Sequence, residues 1–414
     1  MTYDVVIIGA GCAGLLAAME MSKKSKLSVL LIEQVRRLHD SRNVSNGWFG
    51  GSAKSDVRIF EDSNFGGHIQ TDKLFNAFIG HLKSHMTGNL RRVRQRLGKK
   101  ELRAITNAGF DVVEPTTHIL SADKMIQIEN SVQKDLQGKI DIKTNCRIEK
   151  IDKVHGEFRV YSADNQMFSA KKCILALGRG GANWASEALQ SLKINHHTDS
   201  YELGIRLEFP ERAISEFSSS NFRVKFGEYR TSIIACRGTI EMENVDEFRT
   251  SNIRVVTGKL THNASLCLLK TFKTKTPLQD VLRLVKIANV LADEQLLREP
   301  ASRWLSGTSI LSPVPEYASM KDGLEKIFTL FPTAKKRTLV YAPEARINTV
   351  KFELSKDMES NIVGLYIVGD MSGHTNSFAQ AGCSGLAAAR HIIKTSKSRR
   401  KAHGRRKQVK SAVR

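Results

Sequence analysis

No apolar run in the sequence reaches the length of about 20 residues that a membrane-crossing helix needs, and mean hydropathy is −0.28. A membrane span is therefore excluded. The six cysteines, Cys12, Cys146, Cys173, Cys236, Cys267 and Cys383, stand far apart without a C-x-x-C pair. That spacing argues against a zinc site and a redox-active dithiol. A chain of 414 residues needs no disulfide framework, so a reducing cytoplasm is the expected compartment. His196-His197 has no further ligand at metal spacing, and no metal is expected. Prolines number only 8 and glycines 29, which excludes a low-complexity chain. No basic n-region opens the chain, and Asp4 precedes the apolar run, so residues 1–20 are not expected to be a signal peptide.

Acidic residues are also in short supply. Against 64 Lys and Arg stand 42 Asp and Glu, a net charge of +22. Ten of the basic residues lie in residues 394–414, which hold no acid. Such an excess bears on partners rather than fold. The tail from about 396 reads as a disordered electrostatic arm. A second basic run holds Arg91, Arg92, Arg94 and Arg96. Together they make sequence-blind phosphate contact with nucleic acid a candidate property, with a solvated charged face as the plainer alternative.

Residues 3–8 are continuous and β-branched, as in a buried strand. Gly9, Gly11 and Gly14 follow at once as G-x-G-x-x-G. A helix over 15–24 and a second buried strand over 27–32 complete a βαβ unit. Glu33 lies 19 residues after Gly14. In this context the glycines have definite tasks: Gly9 permits the turn, Gly11 admits a pyrophosphate, and Gly14 lets helix and strand pack. The helix N-terminus, around Ala13, offers N–H groups to phosphate, and Glu33 can accept from ribose hydroxyls. Residues 171–177 read as a further buried strand ending at Gly178. Residues 364–370 are another, ending at Gly369 and Asp370, before a helix over 382–393. A carboxylate at a strand end suits a ribityl chain or a ribose. Backbone N–H groups near Gln380, Ala381 and Gly382 could stabilise negative charge on a flavin ring. Residues 40–70 read as a long functional loop and 71–97 as a helix. There is no second G-x-G-x-x-G, because Gly178, Gly180 and Gly181 have the wrong spacing. No separate nicotinamide domain is expected, and any NAD(P)H would bind transiently.

The glycine turn at one end and the Gly-Asp strand at the other resemble FAD domains of the glutathione-reductase type. Over residues 1–395 the chain further resembles the largely uncharacterised family of FAD-dependent dehydrogenases. The resemblance rests on residues 175–184 (LALGRGGANW), 203–208 (LGIRLE), 342–346 (APEAR) and the flavin motif of 364–389. Residues 235–240 (ACRGTI) resemble its Cys-Pro-Gly-Gly segment, without the proline and one glycine. The resemblance implies an α/β fold, with a Rossmann-like FAD-binding domain built from 1–200 and 341–395. An α+β substrate lobe over 201–340 is inserted in it, and a basic tail over 396–414 follows. It implies an FAD-dependent oxidoreductase.

The reacting groups are less determined. His374 and Asn376 follow Asp370 and are the candidate catalytic residues, His374 for proton transfer. A loop histidine bonded to backbone is the alternative. Arg206 and Glu208 read as an ion pair or as substrate-lobe lining. Arg346 either binds an anionic substrate or fixes a turn. The substrate is either a small molecule, as for a dehydrogenase, or a nucleic-acid base or its modification, the case favoured by the charge. An FAD-dependent lyase or oxidase acting in base hypermodification, and a nucleic-acid-binding protein with structural FAD, are the alternatives.

Overall fold

The computed structural model describes residues 2–412 apart from 36–46, 94–95, 182–183, 185–191, 215–216, 218–220, 246–247, 259–260 and 347–349; for 245 and 399–412 it describes the backbone alone. The early part of the expected 40–70 loop and Arg94 of the basic run lie outside the described residues.

Two large sheets organise the chain. The first has seven strands. The strand Thr2–Ile8 lies between Val29–Ile32 and Met167–Leu175, all parallel. Asp141–Lys143 adds in parallel beyond Val29–Ile32. Leu365–Ile367 adds in parallel to Met167–Leu175. Val5, Val6 and Ile7 are wholly buried, as continuous apolar strands of a parallel sheet must be. An antiparallel pair, Ile148–Val154 and Glu157–Ser162, extends the sheet from Met167–Leu175.

The second sheet has eight strands. Ser200–Pro210 is its spine, flanked by Asn263–Lys273 and Leu339–Arg346, both antiparallel. The helices Pro277–Leu291 and Met320–Leu330 cover it with a separate apolar core. Asp111–Val113, from inside the 1–200 span, joins its edge. A hairpin of Thr239–Val245 and Phe248–Arg254 projects toward the first sheet.

The helix Cys12–Lys24 and the closing helix Phe378–Ala412 pack side by side. Their approach depends on missing side chains. A Cβ on Gly385 would sit 2.0 Å from the Ala13 carbonyl oxygen, and one on Gly382 2.5 Å from the Phe78 ring. This contact draws the two ends of the chain together.

Two sequence expectations change. The helix expected over 71–97 spans only Asp72–Lys83. Gly88, with φ +73°, ends any helical continuation, and Arg91–Val93 pairs instead with Thr117–Leu120. The tail expected to lack structure continues as helical backbone to Ala412. Its Lys, Arg, Gln and Ala residues are good helix formers without proline, and basic residues suit a helix C-terminus. No described helix is long and apolar enough to cross a membrane.

Candidate functional site

At the C-terminal ends of the parallel strands lies a crevice of about 1200 Å³, above the roughly 300–1,000 Å³ of ordinary small-molecule sites. Ligands of open α/β sheets bind at this edge. One wall comes from the glycine turn, with Gly9, Gly11, Cys12 and Ala13. Gly9 has φ +102°, and a Cβ there would stand 2.4 Å from the Ala176 carbonyl oxygen. No side chain caps the helix Cys12–Lys24, and no acid stands in its first turn. Its positive end is therefore available to an anion. Gly14 does not line the crevice. A Cβ there would meet the Gly9 carbonyl oxygen at 2.0 Å, so this glycine lets the helix close onto the strand.

Glu33 directly follows the strand Val29–Ile32 and lines the crevice. Its Oε2 accepts from the Ala10 amide at 2.7 Å and its Oε1 from Val35 at 3.0 Å. Burial raises its pKa, while these backbone N–H groups oppose the rise. The carboxylate is thus oriented, with lone pairs left for ribose hydroxyls. The segment Trp48–Lys54 bends over the turn through three left-handed residues, Phe49, Gly50 and Gly51. The Phe49 amide donates to the Ala10 carbonyl at 2.9 Å.

From the other end of the chain come Gly369, Asp370, Asn376 and Ala381, all in the same crevice. Gly369 has φ +70°, and its amide donates to Ser384 Oγ at 2.9 Å. Asp370 accepts from Thr375 Oγ1 at 3.0 Å. Burial raises the Asp370 pKa, and Arg179 and Thr375 counter it. Gly178, with φ +62°, and Arg179 complete this side.

Three sequence-expected site residues have other tasks. Gln380 is wholly buried and accepts from the Ile69 and Gln70 amides, both at 2.9 Å; its Nε2 donates to the Ser63 carbonyl at 2.7 Å. It clamps the 63–70 segment and does not line the crevice. Gly382 serves helix packing, as described above. His374 directs Nε2 to the Phe352 carbonyl oxygen at 2.7 Å and is absent from the crevice lining. Gln380 and Gly382 need not face the cofactor motif they adjoin, because a helix turns successive side chains by about 100°; His374 lies in the loop before that helix and turns to Phe352 instead.

The opposing wall was not legible from sequence. The projecting hairpin brings Asn252, whose Nδ2 donates to Glu243 Oε2 at 2.8 Å. Glu243 also accepts from Arg179 at 3.1 Å. Arg206 pairs not with Glu208 but with Glu344, at 2.9 and 3.1 Å, in the buried interior. Glu208 instead accepts from Tyr341 at 2.8 Å and Asn263 at 3.1 Å. These are cross-strand contacts, and no local pattern announces them. Cys12 lies in the crevice, but burial pushes its thiol pKa well up, so it is a protonated loop residue rather than a nucleophile. Among the described residues no group of three or more His, Cys, Asp or Glu could hold a metal ion.

The family model described as FAD binding domain matches residues 4–63. A search of the curated proteins finds no match. Similar solved structures include glycine oxidase from Geobacillus kaustophilus, 11% identical, with TM-score 0.43 and 95% of each chain covered. They also include the halogenase PltM, 12% identical at TM-score 0.45, covering 96% of this chain and 71% of that one. The tetracycline destructase Tet(51) is 12% identical at TM-score 0.40, with 94% and 80% covered. At such scores the likeness says nothing about chemistry. The parallel sheet, the crevice and the matched segment together define the class: an FAD-binding α/β protein. Its cofactor is FAD, and the turn, Glu33 and Asp370 fit it.

Proposed function

We propose that this flavoenzyme exchanges a hydride with an organic substrate entering from the hairpin side of the crevice. The hydride leaves a C–H or C–N centre, or enters an unsaturated bond. The observation that carries this reading is the continuity of the crevice. The glycine turn and Asp370 line the same crevice as Asn252 and Arg346. FAD, when bound, supplies the hydride acceptor or donor. The chain's residues bind and orient. The helix N-terminus faces the phosphates, Glu33 the ribose, and Asp370 the polar chain. The segment over Phe49 and the hairpin exclude water. Asn376, whose backbone N–H donates to the Gly66 carbonyl at 2.6 Å, lines the crevice, while His374 does not.

The test is the visible spectrum of the purified full chain, followed by anaerobic titration with NADH, NADPH and a panel of metabolites and nucleosides. Flavin bands that bleach with one class of reductant support the reading and identify the donor. A protein that takes up no flavin when FAD is supplied refutes it.

A second reading takes a nucleic-acid-linked substrate. Its support is the net charge of +22 and a surface cleft of about 450 Å³ edged by Lys23, Lys24, Lys26 and Lys397 at the root of the basic helix. Retention on RNA or DNA that falls steeply with salt, and is lost on deleting residues 394–414, supports it. Retention unchanged by the deletion counts against it.

A further inference from the structure

We propose that the crevice contains a carboxylate subsite centred on Arg346, so that the substrate carries a carboxylate close to its reacting carbon. The proposal rests on the flavin-dependent reading of the same crevice and adds the substrate class.

Three observations lead there. The first is charge balance. Glu344 is shared by two arginines, but unequally. Its Oε2 accepts from Arg206 Nε at 3.1 Å, from the same guanidinium at 2.9 Å, and from Ser251 Oγ at 2.6 Å. Arg346 reaches only Oε1, at 3.8 Å, too long for a hydrogen bond. Glu202, the next carboxylate toward Arg346, is engaged by Arg230. Buried Arg206 and half-buried Arg346 thus share one carboxylate whose best contacts belong to Arg206.

The second observation is an unmet donor. Arg346 Nε is buried and has no hydrogen-bond partner among the described residues. A buried guanidinium with an idle donor is costly unless a ligand satisfies it. The third is direction. Arg346 lines the crevice with Asn252 beside it, and its side chain is 21% exposed. Burial lowers its proton affinity, but Glu344 and further acidic neighbours more than reverse this, and it stays charged.

A planar fork with an idle donor matches one carboxylate. A phosphate dianion would need a second free cation. Of the other two arginines of the crevice, Arg179 already meets Glu243 at 3.1 and 3.4 Å, and Arg147 follows Cys146, whose amide donates to the Glu33 carbonyl, at the ribose end of the crevice. Asp370 also feels both arginines, but its carboxylate accepts from Thr375 Oγ1 at 3.0 Å and makes no ion pair with Arg346.

The test uses the full FAD-loaded chain with benzoate as probe, followed by calorimetry and by perturbation of the flavin absorption. Benzamide and phenyl phosphate are the comparison probes. Benzoate should bind at least tenfold more tightly than benzamide. Arg346→Gln should weaken benzoate about ten- to a hundredfold, the loss of one charge-assisted contact, and leave benzamide unchanged. Arg346→Lys, which keeps the charge without the fork and the cross-strand neighbourhood largely intact, should fall between. Equal binding of benzoate and benzamide, absent heat with benzoate, or wild-type affinity in Arg346→Gln each overturns the proposal. Tighter binding of phenyl phosphate overturns the carboxylate assignment. If no flavin is taken up, the hydride-transfer reading fails, while calorimetry still reports on the anion subsite.

Discussion

Replacing Gly11 with alanine separates a phosphate cradle from a merely tight turn. Gly11 has φ −68° and ψ −179°, a conformation open to any residue. A Cβ there comes no closer to the protein than 3.8 Å, at the Ala176 carbonyl oxygen. The folded chain therefore has room for it. Alanine is poorer than glycine at a helix N-cap, at a cost of a few tenths to about 1 kcal/mol. Reduced freedom of the unfolded chain returns about 0.4–1 kcal/mol. The two nearly cancel, so the apoprotein should unfold within about 0.5 kcal/mol of wild type. The methyl nevertheless points into the space where backbone must approach the pyrophosphate. Crowding there costs about 1–3 kcal/mol, or roughly ten- to a hundredfold in FAD affinity. Gly14→Ala provides the contrast. Its Cβ would lie 2.0 Å from the Gly9 carbonyl oxygen, against an ordinary contact of 3.4 Å. The helix gains about 1 kcal/mol in propensity, which does not offset moving helix from strand. Gly14→Ala should therefore lose both stability and flavin. The assay is FAD titration by fluorescence quenching, beside thermal unfolding of each apoprotein. A Gly11→Ala protein that binds FAD as wild type does would refute the cradle.

Glu33→Gln should weaken FAD by about ten- to a hundredfold through the lost charge-assisted bonds, read in the same titration. Gln380→Ala leaves the Ile69 and Gln70 amides without their acceptor. It should lower Tm by the cost of an unsatisfied buried donor, about 1–3 kcal/mol, without shifting the potential of bound flavin; a shifted potential would restore Gln380 to the site. Glu129 is wholly buried against the Trp48–Lys54 segment, and burial raises its pKa from 4.5 to about 8. The native state favours the protonated form, so its contribution to stability falls as pH rises from about 4.5 to 8, at up to about 1.4 kcal/mol per unit. Glu129→Gln should flatten that decline, and denaturant midpoints of both proteins across pH 5–9 check it. Parallel profiles would show that the carboxyl is ionised in the fold.

The cofactor half of the site was legible because its demands are local. A turn that must take φ +102° at Gly9 and a strand that must end in Glu33 leave marks within some 30 residues. The same holds for Gly369 and Asp370. Gln380 and Gly382 were read as site residues for backbone N–H groups at a helix start, and His374 for proton transfer. The closing helix instead turns two of them into packing and clamping positions, and Phe352 takes up the histidine.

The βαβ opening and the closing strand follow from the residues alone, since backbone sterics and a helix dipole act between near neighbours; FAD in particular was implied by the resemblance that the two chain ends carry together. Only the tertiary structure decided that Asn252 and Arg346 face the cofactor wall, and that Arg206 rather than Arg346 holds Glu344 closely. Charge compensation acts through space across strands far apart in the chain, and spacing in sequence carries no record of it.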